Sequence, residues 1–139
     1  MAKFILKHPV ITVAGVDLTD HCSSVEVSTE FDEVDLTTFC NDFRSFGQGP
    51  GDANITATFF QDYASGSVDA TLWPLAQSGG TFDVVVRGGS EAVSSTNPKY
   101  TMTSRLFSYT PLSGGYGDAS TTDVSFRNAG SAGLSRGTS

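Results

Sequence analysis

Apolar and polar residues alternate along 23–31, so that Val25, Val27 and Phe31 fall on one face of a strand and Glu26, Ser28 and Glu30 on the other. Residues 54–60 alternate in the same way. The two runs predict a long β-hairpin over 22–62. Between them, 41–52 holds Gly47, Gly49, Pro50 and Gly51, a set that resists a regular ladder. That segment reads as a mobile loop. It also carries Phe43, Arg44 and Phe46, and loops of this length are functional or disordered, so the loop is expected to order against another subunit. Beyond Phe31 the alternation slips. Val34 and Leu36 land on the face of Glu26 and Glu30, which predicts a bulge or a change of sheet near Asp32-Glu33.

On either side of the hairpin the pattern is shorter. Phe4-Ile5-Leu6 and Val10-Ile11-Thr12-Val13 read as short strands interrupted at Pro9, with an N-terminal arm over about 1–9 and a turn at Ala14-Gly15-Val16-Asp17. Residues 66–77 are the helix candidate: Val68, Leu72, Leu75 and Ala76 share one side, and Ser65 or Ser67 can cap the start. Pro74 lies too deep for a first turn, so the helix should be short or kinked, and Gly79-Gly80 ends it. Trp73 is expected to staple this helix to the sheet from within the core. Strands follow at 81–87, 100–109 and 121–126, with loops at 88–99 and 111–118. The tail 128–139 has little to anchor it beyond Leu134 and is expected to be disordered alone or ordered by a neighbour. With no internal repeat and no linker, the chain reads as a single, mainly β domain over 1–139.

Composition narrows the function. The 139 residues include 38% apolar and 17% charged residues and 15 glycines, as in an all-β chain with many turns. Only eight Lys and Arg are present, scattered, and the net charge is −7; that argues against a basic groove for nucleic acid. An acidic wall can still surround DNA that it must not hold. Cys22 and Cys40 are too few for a disulfide framework and are expected as free thiols. No signal peptide and no apolar run long enough for a membrane span is visible, so synthesis and folding in a cytoplasm are expected, without membrane insertion.

Catalytic patterns are weak. His8 precedes a proline and His21 sits in a turn, and neither comes with a nucleophile and an orienting acid. His21-Cys22 with distant Cys40 lacks zinc spacing. Gly47-Gln48-Gly49-Pro50-Gly51 has no following Lys-Ser/Thr and leads into a strand rather than a helix, unlike a phosphate loop. Glu30, Asp32, Glu33 and Asp35 lack the spacing of a calcium loop and read as a solvated acidic face. Asn54-Ile55-Thr56 is a formal glycosylation sequon only. The chain is expected to be no enzyme, with no catalytic, metal or cofactor residues.

Taken in order, Val16–Val27, Glu33–Phe39, the run Phe59-Phe60-Gln61-Asp62-Tyr63-Ala64-Ser65-Gly66-Ser67-Val68-Asp69-Ala70-Thr71-Leu72-Trp73-Pro74-Leu75, Ser94–Tyr100 and Tyr109–Gly114, with Asp118–Gly130 behind them, resemble the major tail proteins of long-tailed bacteriophages, particularly those of actinobacteria. The resemblance covers most of 16–130 and lies in the joint order of these stretches. It implies the phage tail-tube fold: a two-sheet β-sandwich or small barrel, one short flanking helix and a long hairpin. It further implies six subunits per ring, with rings stacked into a tube whose lumen passes DNA. Partners would be the chain itself, the tail terminator, the tail-tip and the tape-measure proteins, in a virion tail assembled in the bacterial cytoplasm. On this reading Asn41, Asp42, Phe43, Arg44, Phe46 and Gln48 contact the next subunit. Some of Glu26, Glu30, Asp32, Asp35 and Asp123 face the lumen. Two other readings share the β pattern. One is a capsid or tail decoration protein; the other is an immunoglobulin-like surface or carbohydrate module with a groove lined by Tyr63, Tyr100, Tyr109 or Tyr116.

Overall fold

The computed structural model describes residues 5, 6 and 8–138. Strand β1 (Val10–Val13) turns back into β2 (Val16–Asp17). Ala14 and Gly15 between them take φ of 51° and 84°, the paired left-handed conformation of a two-residue hairpin. A 3-10 turn, Thr19–His21, leads to β3 (Cys22–Asp35), which pairs with β4 (Phe46–Phe60). Helix α1 (Val68–Ser78) precedes β5 (Phe82–Arg87), β6 (Lys99–Leu106), β7 (Thr121–Asn128) and β8 (Leu134–Gly137).

All pairings are antiparallel and join the strands into one sheet, ordered β2-β1-β5-β6-β7-β4-β3. The sheet branches at β6: β5 runs along one edge, while the other edge is shared by β8 over Lys99–Met102 and by β7 over Ser104–Leu106. Cross-strand pairing puts Ile11, Val86, Val84, Met102, Leu106, Phe126, Ile55 and Ala57 on one face, and all are buried in a single cluster. The expected sandwich or small barrel is therefore a continuous sheet curled over its own apolar face. Helix α1 closes the core with Val68 and Leu72. Among the described residues, no helix is long and apolar enough to cross a membrane.

Helix α1 starts after Ser67, whose hydroxyl bonds Asp62 at 2.8 Å, and ends at Gly79, at φ 69°, whose N–H reaches the Leu75 carbonyl. Pro74 lies inside it. Trp73 does not staple the core: it is 48% exposed and packs at the rim, 6.5 Å from the Tyr109 ring. The buried stripe already runs through Val68, Thr71 and Leu72, and Trp73 is one residue, about 100° of helix, out of phase.

The mobile loop is corrected most. Residues 46–52 are strand, and the hairpin turn is 36–45. Gly47 lies opposite Val34 and Gly51 opposite Phe31. A Cβ on Gly47 would come within 2.6 Å of Leu36 Cδ1, and one on Gly51 within 2.6 Å of Phe31 Cε1. The glycines thus leave room for β3 side chains to lie across the β4 backbone. The register shift anticipated near Asp32-Glu33 is present between Phe31 and Glu33. Its extra residue is on β4, beside Pro50, so β3 keeps its own alternation. The tail is corrected too: Leu134–Gly137 pair with β6 as β8, and Leu134 packs on the core. At the other end Ile5 and Leu6 are exposed and in no strand; the rest of the expected Phe4-Ile5-Leu6 strand lies outside the described residues.

Candidate functional site

Strand β7 pairs with β4 only from Asn54 to Phe60. From Phe46 to Ala53, β4 is paired with β3 alone; Ala53 still belongs to the buried cluster and Asp52 bonds Arg127, so the free two-stranded arm runs over Phe46–Gly51, about 20 Å at ~3.3 Å per residue. An isolated pair of strands is marginal in water. This one also exposes Phe31, Val34, Leu36, Phe39, Phe43 and Phe46, with Phe43 at 87% and Phe39 fully open. By the alternation of β3, Val34 and Leu36 lie on one face of the arm and Phe31 on the other, and exposed apolar surface of this extent marks an interaction site.

The turn at the tip is nonetheless held by its own hydrogen bonds. Leu36 N–H donates to Ser45 O at 2.8 Å, Ser45 N–H to Thr37 Oγ1 at 2.8 Å, and Thr38 N–H to Asn41 Oδ1 at 2.8 Å. Hydrogen bonds from Thr37, its hydroxyl and then its N–H, hold the Asp35 carboxyl below the usual carboxylate range. Arg44 lies 3.7 Å from Asp35 and stays 78% exposed. Of the contact residues expected from sequence, Asp42, Phe43 and Arg44 are at the tip and open. Phe46 and Gln48 are exposed on the shaft, with Gln48 opposite Glu33. Asn41 instead braces the turn through its side-chain oxygen. Phe39 was missed; it follows Thr37-Thr38 with no polar alternation to mark it as exposed.

The face opposite the core is polar across β3, β4 and β7. Glu26 lies opposite Thr56, and Thr56 opposite Ser125; Ser24, Thr58 and Asp123 form the next row, with the Thr58 hydroxyl on Asp123 Oδ1 at 2.7 Å. Arg127 bonds Asp52 at 3.1 Å, and Arg105 lies opposite Arg127. Alternation puts Glu26, Glu30 and Asp32 on this face with Asp123, whereas Asp35 falls on the other side, with Phe31 and Glu33. Of the five acidic candidates, four share this face and Asp35 does not.

At the base of the hairpin, side chains tie the helix to the loop after β6. Gln61 Nε2 donates to Tyr109 Oη at 2.9 Å and to Pro111 O at 2.6 Å, and the Tyr109 hydroxyl donates to Asp69 Oδ1 at 2.9 Å. Burial first, offset by the Gln61 bond and reinforced by Asp69, pushes the Tyr109 phenol up to about 12. The folded-state value lies above that of a free tyrosine, so the unfolded chain ionises first. This contribution to stability is fully present below about pH 10 and is lost as pH rises toward 12. The melting temperature of the intact protein is therefore expected to fall more steeply between pH 10 and 12 than that of Tyr109→Phe; parallel slopes in a pH series of melts would remove Tyr109 as the cause. Asp62 is held low by the Ala64 N–H, then the Ser67 hydroxyl, then His21 at 3.3 Å.

Among the described residues no catalytic constellation assembles around the two histidines: His21 is paired with Asp62, and His8 is exposed in a shallow cleft with Thr19, Cys22 and Ser90. Cys22 and Cys40 are free and sit at opposite ends of β3, at its start and beyond its end in the tip turn. Burial raises the Cys22 thiol. Among the described residues, no group of three or more His, Cys, Asp or Glu could hold a metal ion. Tyr63 and Tyr109 converge near Pro111, but Tyr100 lies opposite Val86 and Arg136, so the four tyrosines do not line one groove.

No protein-family model matches the chain, and no curated protein sequence matches it. Solved structures do. The tail of an empty gene transfer agent particle, described with helical refinement and C6 symmetry, superposes with a TM-score of 0.67 at 16% identity, covering 83% of this chain and 81% of that one. The sheath–tube complex of an extracellular contractile injection system gives 0.73 at 12% identity, over 99% and 93%. The SPP1 tail tube gives 0.69 at 12%, over 94% and 76%. At these identities the likeness is one of fold, and the chain has the mainly β, antiparallel fold found in these assemblies.

Proposed function

We propose that the chain is the structural subunit of a phage tail tube, with no catalytic role. The observation that carries this reading is the two-stranded arm: a domain with this fold extends paired strands about 20 Å beyond its core and leaves aromatics open at the end. A monomer gains nothing from that surface, whereas a repeating assembly covers it. β3 ends the sheet as an edge strand of 14 residues, and continuing the sheet into a neighbour removes the hazard of such an edge. Six copies per ring, stacked rings and a DNA-conducting lumen extend the reading, and the C6 symmetry described for the gene transfer agent tail favours that number. The tail terminator, tail-tip and tape-measure proteins are the other partners, in a virion tail of the long-tailed, actinobacteriophage type. The test is negative-stain microscopy across a concentration series, with solution mass alongside. Tubes or stacked rings are the expected result; monomers that persist with the particle's own tail-tip complex added count for the decoration reading.

In this assembly the polar face of β3, β4 and β7 lines the lumen, with Glu26, Glu30, Asp32 and Asp123 repelling the phosphate backbone. Glu26→Lys with Asp123→Lys is expected to leave tubes intact while making them retain short duplex DNA at low salt, with retention falling steeply as salt rises. Unchanged DNA retention by intact tubes would place that face elsewhere.

A further inference from the structure

Two apolar surfaces lie at opposite ends of the same strand pair. Phe39 and Phe43 cap the arm tip, and Phe60, Tyr63, Leu112 and Tyr116 are exposed at the base. The base surface is one unit: Gln61 N–H bonds Ser120 O, Ser113 N–H bonds Ser120 Oγ, and the Tyr63 hydroxyl bonds Pro111 O. The tip carries Arg44 beside Asp35 and Asp42, and Arg44 is the only Lys or Arg between residues 8 and 86, whereas 60–81 and 107–121 carry Asp62, Asp69 and Asp118 and no Lys or Arg. Asp62 has His21 and Asp69 has the Tyr109 hydroxyl; Asp118 is exposed and makes no ion pair among the described residues.

We propose that the arm tip of one copy docks on the base of the next, with Phe39 and Phe43 against Leu112 and Tyr116 and with Arg44 on Asp118. This rests on the tube reading and names the surface that receives the arm. The two patches differ, so the contact is heterologous: it does not close on itself, and copies stack head to tail without limit. Tip-to-tip pairing would leave Leu112 and Tyr116 at the base uncovered and would stop at a dimer. Because the tip turn is already hydrogen-bonded, docking orders little backbone. Aromatic anchors and an arginine on a carboxylate are what such a contact uses.

Cys40 in the tip turn provides the probe. Ser113→Cys and Ala119→Cys, each with Cys22→Ser, place a second thiol on the base. Assembled protein is treated with copper–phenanthroline and run on a non-reducing gel. A ladder of covalent multimers is expected in at least one variant, lost when Cys40→Ser is added. Arg44→Glu is expected to raise the concentration needed for assembly at least tenfold, and Asp118→Arg in the same chain to bring it back to within a few-fold. Tubes seen by microscopy with no ladder in either variant overturn the docking and leave the tube reading standing. A dimer alone, already present without a base cysteine, overturns it in favour of tip-to-tip pairing. Absence of any assembly with the tail-tip complex added overturns both.

Discussion

Replacing residues 36–45 with Asn-Gly is expected to give a folded monomer that no longer assembles. Asp35 and Phe46 are directly opposed, so a two-residue turn closes the arm without changing its register, and Asn-Gly supplies the left-handed pair it needs. The excised residues contribute nothing to the buried cluster, so the melting temperature should hold within a few degrees. Assembly should not hold. Phe39 and Phe43 go with the turn, and buried aromatic anchors cost about 2 kcal/mol or more each on removal. About 4 kcal/mol is roughly a thousandfold in the concentration at which tubes appear. Sedimentation and microscopy over that range decide the matter. Trimmed protein that assembles at the same concentration as the intact chain would show that the exposed aromatics serve something other than self-association.

The strand faces were legible because they depend on neighbours one and two residues away. Val25 and Val27 point inward as their alternation with Glu26 and Ser28 says, and the helix stripe through Val68 and Leu72 follows from its own spacing. What failed depended on distant partners. Gly47 and Gly51 looked like loop residues because a glycine's composition does not reveal that Leu36 or Phe31 will lie across it from another strand. The tail around Leu134 looked unpaired because its partner edge is the half of β6 that β7 does not cover. Trp73 was placed inside on bulk alone, although the phase of its helix keeps it at the rim. At the arm tip, Phe43 and Arg44 were visible as unusual side chains in a turn. Phe39 and the division of Asp35 from Glu26, Glu30, Asp32 and Asp123 needed the register of the arm.

The second large effect should come from the middle of the sheet. Phe82 and Phe126 meet edge to face, 5.8 Å apart at 81°, on strands that flank β6. Between them β6 carries Ser104, fully buried, paired with Phe82, its hydroxyl turned back to the Met102 carbonyl at 3.2 Å. The small side chain leaves the space over which the two rings touch, at the point where the sheet branches to β7 and β8. Phe126→Ala is expected to cost about 3–5 kcal/mol, because the sheet cannot collapse into the cavity without breaking its ladder. That is a large share of the roughly 5–15 kcal/mol that holds a domain together. Phe60→Ala, at the half-exposed end of β4, should cost less than about 1 kcal/mol. Both belong in the chain trimmed at 36–45, since association would otherwise add to the apparent stability of each. Urea unfolding of the pair is the measurement, with unchanged m-values as the check that two-state behaviour survives. Equal losses would mean that Phe126 does not hold the branch, and that the curled sheet is closed instead by α1 and the Val68–Leu72 contact.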